Sequence, residues 1–171
     1  MGSRRGTVGA FVVAGSGIAL LVIMFVLNWY EAEVPESTAT PASGSLSFDA
    51  WEAFDFVEYG LLLVGVIGVA VGVVAATRSG DLVAVAGALA AVVGGVGFLV
   101  LAYRVVDPPT LIVDGIVIEE EGGVEIATEV GAFLGLLAVA GVMIGGWLCL
   151  RESGMSLQET VARVRAPHPR R

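Results

Sequence analysis

"VGAFLGLLAVAGVMIGGWLCL", from Val130 to Leu150, runs for 21 residues without an Asp, Glu, Lys, Arg or His. At about 1.5 Å of rise per residue, a helix of this length crosses a hydrocarbon layer of about 30 Å. A helix of a soluble bundle needs one polar face, and a barrel strand alternates apolar with polar residues; this stretch does neither. A helix dissolved in lipid remains, because it satisfies all its own backbone N–H and C=O groups. Gly131 with Gly135, and Gly141 with Gly145, sit four apart, the spacing that puts small residues on one helix face and lets another helix approach.

Three more uncharged runs precede it: Val8 to Leu27, Gly60 to Thr77 and Leu82 to Tyr103, of 20, 18 and 22 residues. Only 15% of the 171 residues are charged and 56% are hydrophobic, with a mean hydropathy of +0.87. An ordinary soluble domain carries about 25% charged residues. The expected fold is therefore an all-α membrane protein, a bundle of four transmembrane helices over 8–27, 60–77, 82–103 and 130–150. Gly68 and Gly72 on the second run join the glycines of the fourth as helix-packing positions. The first run is longer than the apolar core of a signal peptide and has no clean small-x-small cleavage site, so it is read as retained.

Charge sets the threading. Arg4, Arg5, Arg78, Arg151, Arg163, Arg165, Arg170 and Arg171 flank one side of the runs, and Arg104 alone flanks the other. By the positive-inside rule, residues 1–7, the turn at Thr77 to Asp81 and the basic tail 151–171 are cytoplasmic, and the loops 28–59 and 104–129 lie outside. Fourteen of the 17 acids fall in or beside those outer loops. The expected place is the cell membrane, multi-pass, with an acidic outer face that repels nucleic acid and draws cations.

The outer loops read as a small cap. "EAEVPESTATPASGS", Glu31 to Ser45, is too poor in apolar residues to pack and is expected to be a mobile loop. Next, Asp49 as N-cap and Glu52 at the third helical position, with Phe48 and Ala53 spaced as a hydrophobic staple, start a short helix. Trp51 and Phe54 share its apolar arc, while Asp49, Glu52, Asp55 and Glu58 fill the acidic one. Ile112 and Ile116 flank Asp114-Gly115 as a β-hairpin, and Gly122-Gly123 turns toward a further strand at Val124 to Ala127. These residues form the expected interaction surface. Trp29, Tyr30, Tyr59, Tyr103 and Trp147 stand at the span ends as interfacial anchors.

No Ser/His/acid set, phosphate loop or metal-ligand spacing occurs, so neither an enzyme nor a cofactor is expected. Cys149 is expected to be a packing residue and His168 a solvated one. The partners are the lipid bilayer and either a second copy of the chain or another membrane protein, with at most a loose association of divalent cations at the carboxylates. The alternative is a subunit of an oligomeric transporter or channel whose acidic vestibule gathers cations.

"NWY" (Asn28 to Tyr30), "AWEAF" (Ala50 to Phe54), "YRVVDPP" (Tyr103 to Pro109) and "GGWLCLRE" (Gly145 to Glu152) together resemble small uncharacterised four-span membrane proteins of high-GC actinobacteria. That resemblance implies a membrane location and no activity. In layout the chain is also similar to the claudin-like tetraspan proteins, without their paired outer-loop cysteines.

Overall fold

The computed structural model of the chain describes residues 7–34, 44–53, 56–78, 81–107, 111–113, 116–118 and 125–154. Four long helices carry the architecture: α1 Thr7–Val26, α3 Val57–Thr77, α4 Asp81–Val106 and α5 Val130–Glu152. All four are long and apolar enough to cross a membrane. Between α1 and α3 lie strands β1 Tyr30–Val34 and β2 Gly44–Phe48 and the single-turn helix α2 Ala50–Ala53; between α4 and α5 lie β3 Leu111–Val113, β4 Ile116–Ile118 and β5 Glu125–Thr128. Chain order therefore puts every short element at one end of the bundle.

Helix limits follow local chemistry. α4 runs past Tyr103 and ends at Val106, with Arg104 in its last turn where a cation complements the helix dipole. Asp107 precedes a proline, which disfavours further α conformation. α5 ends through Gly154 at φ +76°, whose N–H donates to the Arg151 carbonyl, and the Arg151 guanidinium lies 5.3 Å above the Trp147 ring. α3 begins at Val57, three residues before the uncharged run, and so takes Glu58 into its first turn.

α5 is the centre of the packing, with α4 on one side and α1 on the other; α1 also packs closely on α3, whereas α3 and α4 meet more loosely. Backbone contact explains the tight seams. A Cβ added at Gly146 would lie 2.6 Å from the Ala91 nitrogen and 2.7 Å from the Gly87 oxygen, and one at Gly145 would lie 2.7 Å from the Val13 Cα. Such approach maximises dispersion contact between the helices. Outside the seams, Phe11, Val22, Val92, Leu99 and Leu137 are each more than half exposed. A girdle of bare aliphatic side chains on every helix is costly in water and at ease in lipid.

The cap corrects both ends of the expected mobile loop, Glu31 to Val34 and Gly44 to Ser45, while residues 35–43 lie outside the described residues. β1 and β2 pair antiparallel from Tyr30 opposite Phe48 to Val34 opposite Gly44, and β5 adds to the other edge of β1 to give the order β2-β1-β5. The physical reason is a period of two that outweighs the polar composition. Tyr30, Ala32 and Phe48 are buried with Leu46 and Ile126 beside them, whereas Ser47 and Ala127 are exposed. β3 and β4 form the hairpin around Asp114-Gly115, with Ile112 opposite Val117 and Ile116 opposite Val113. The strand expected to follow them joins β1 instead.

Backbone hydrogen bonds weld sheet to bundle. Trp29 donates to Phe48 O at 2.7 Å, Glu129 to Trp29 O at 2.9 Å and Gly131 to Asn28 O at 3.1 Å. Trp29 and Tyr30 are fully buried, so the expectation of an interfacial anchor is wrong for both. Tyr59, Tyr103 and Trp147 remain about half exposed at the helix ends.

Candidate functional site

The cap end of the bundle gathers most of the residues singled out in the sequence. Asp49 Oδ1 accepts from the Trp51 and Glu52 backbone N–H groups at 2.8 and 3.0 Å, and Glu52 Oε2 accepts from Asp49 N at 3.4 Å. This is the reciprocal capping box; an N-cap of this kind stabilises by about 1 kcal/mol. Both carboxylates are thereby engaged in holding α2. α2 spans Ala50–Ala53, and Phe56, at the bend just before α3, is 83% exposed. Phe54 and Asp55 lie outside the described residues.

Trp51 is half-buried, stacked on Phe25 at 5.4 Å and edge-on to Tyr59 at 5.7 Å. The cluster joins the end of α1, α2 and the start of α3. Its indole Nε1 is buried without a hydrogen-bond partner. Glu58 departs most from expectation. Placed by the sequence on a solvated acidic arc, it is only 4% exposed, and its Oε2 has no partner. It lies in the first turn of α3, on the buried stripe of that helix, which continues through Leu61, Gly65, Gly68 and Gly72. Ile112 and Ile116 stay at the hairpin positions given above.

Of the six predicted packing glycines, four lie in helix seams and two do something else. Gly68 faces Val13 O and Val142 Cγ2, each 3.1 Å from an added Cβ; Gly72 faces Ala14, Gly141 faces Ser16 and Gly145 faces Val13. Gly131 and Gly135 instead form a slot for an indole: a Cβ at Gly135 would lie 2.5 Å from Trp29 Cη2, and one at Gly131 2.9 Å from Trp29 Cδ1. Trp29 Nε1 donates to Ile23 O at 3.3 Å.

Tyr30 OH donates to the Arg104 carbonyl at 3.0 Å, tying β1 to the end of α4. Burial pushes its phenol up to about 12, against the opposing pull of the Arg104 charge. The folded state then holds this proton while an unfolded tyrosine, near pH 10, has lost it. Stability is complete below pH 10 and falls as pH rises from about 10 to 12, by about 2 kcal/mol in all. Denaturant unfolding across that window should show the decline in the native chain and lose most of it in Tyr30→Phe; an unchanged decline in the variant sinks the assignment.

Among the described residues, no group of three His, Cys, Asp or Glu is placed to hold a metal ion. An apolar recess of about 300 Å³ opens between α3 and α4, lined by Val57, Leu61, Val64, Val92, Val96 and Val100 among others. Among the described residues, Glu58 is the charged side chain that the fold buries. Comparison with family models, with curated proteins and with solved structures gives no match.

Proposed function

We propose that the chain is an integral membrane protein of structural or interaction type. Its four apolar helices lie in the cell membrane with both termini cytoplasmic, and the acidic cap is its outer contact surface. The observation that supports this reading is the combination of four helices bearing bare aliphatic girdles with a folded, hydrogen-bonded cap at one end. A rigid amphipathic sheet welded to the bundle presents one constant face to a partner, which lowers the ordering cost of binding. That partner is a second copy of the chain or another membrane protein. The resemblance to small four-span actinobacterial membrane proteins agrees with such a role and adds no chemistry.

Ser47, exposed on the sheet, is the place to test it. In intact cells a membrane-impermeant maleimide should label Ser47→Cys, whereas a tag after Arg171 should be reached only on permeabilisation. A photocrosslinker at Ser47 in native membranes should then capture a discrete membrane-protein adduct. Reversed accessibility sinks the orientation, and a cap that crosslinks to nothing sinks the contact surface.

A second reading, the subunit of an oligomeric transporter or channel, is favoured by the buried Glu58, since ionisable groups within apolar spans are usually retained for a pathway. Cation flux in proteoliposomes separates it from the first.

A further inference from the structure

We propose that Glu58 and the C-terminal end of α1 form a binding site for a small monovalent cation, a site that stands whether the protein serves as a contact module or as a transporter subunit. The register of the α1–α3 seam locates it. Gly72 meets Ala14, and seven residues earlier on α3 Gly65 meets Leu21, seven residues later on α1. The next step of seven on these antiparallel helices sets Glu58 level with Asn28, just past the last turn of α1.

Two sources of negative potential converge at that level. Glu58 is 4% exposed, its Oε2 has no partner, and it takes part in no ion pair among the described residues. α1 ends with no basic residue in its last turn, so no side-chain cation of its own offsets the partial negative charge of its carbonyl end. Met24, one turn before Asn28, is fully buried, and no backbone N–H following the helix donates to its carbonyl among the described residues. Leu27 N–H and Trp29 Nε1 both go to Ile23 O instead. Arg104, the one basic residue at this end of the bundle, lies on α4 beside Tyr30.

A buried carboxylate and a buried carbonyl, neither with a partner among the described residues, each carry a desolvation cost that a bound cation removes. One carboxylate with carbonyl oxygens suits a monovalent ion, because calcium takes six to eight oxygen ligands and several carboxylates. Helix C-termini and free backbone carbonyls are donors of the kind that hold sodium inside membrane proteins. The acidic cap above the site raises the local cation concentration.

The test uses the full chain in detergent, melted in NaCl, KCl and N-methylglucamine chloride at equal ionic strength. Sodium or potassium should raise the Tm above the bulky cation, by about 4 °C at ten times the Kd. Glu58→Gln should abolish the difference, and Glu52→Gln, an exposed carboxylate at the same end, should keep it. Equal melting in all three salts, or an undiminished difference in Glu58→Gln, overturns the site. Should Glu58→Gln not purify, sodium-23 linewidths of the native chain replace it: broadening that potassium relieves is expected, and no broadening beyond that of a detergent blank overturns the proposal.

Discussion

Trp29→Ala should be the most damaging single truncation in the cap, lowering stability by about 3–5 kcal/mol. The indole is wholly buried, its rim lies against Gly131 and Gly135 on α5, and its Nε1 holds the Ile23 carbonyl at the end of α1. Removing it leaves a cavity whose walls are helix backbone and cannot collapse, and it takes from the Ile23 carbonyl one of its two donors, leaving only the Leu27 N–H. Because Trp29 also carries the backbone bonds between β2 and the start of α5, the loss should loosen the sheet as well. Denaturant unfolding in detergent measures the first effect, and amide exchange at β1 and β5 the second. Trp29→Phe, which keeps most of the ring, should lose less than half as much. A Trp29→Ala chain within 1 kcal/mol of native would show that the slot is not a structural joint, on the scale of large-to-small core changes.

Gly146→Val should have a comparable effect from the opposite cause. An added Cβ there falls 2.6 Å from the Ala91 nitrogen and 2.7 Å from the Gly87 oxygen, and one at Gly87 falls 2.8 Å from the Gly146 oxygen. These neighbours are backbone on both sides, so relief requires α4 and α5 to separate along their whole seam. Overpacking of this kind costs about 1–3 kcal/mol, and more where no side chain can yield. Gly95→Ala is the control, since its Cβ would meet only the Met143 sulfur at 3.7 Å. It should be neutral or slightly stabilising, because alanine is the better helix former by about 1 kcal/mol. If both variants melt alike, close backbone approach is not what holds α4 to α5.

What could be read in the sequence was what depends on composition over a helix length. Four apolar runs, the capping box at Asp49 and Glu52, and the hairpin at Asp114-Gly115 each rest on local signals, and each has its counterpart in the structure. The sheet was also written locally, in the alternation of Tyr30, Glu31, Ala32 and Glu33 and of Ser45, Leu46, Ser47 and Phe48. It was hidden by the polar average of the loop, which falls when small polar residues occupy one face of a strand. Continuing the glycine stripe of α3 backward by seven from Gly65 would have found Glu58 as an inward residue.

The sequence by itself determined that four helices are long and apolar enough to cross a membrane, because that property is a sum over the residues of each run and needs no knowledge of neighbours. Only the tertiary structure decided that β5 pairs with β1, that Gly131 and Gly135 seat an indole rather than a helix, and that Glu58 turns inward. Each of those depends on which segment stands opposite. In a bundle so rich in glycine and valine, many registers offer similar local chemistry, and only the packed whole selects among them.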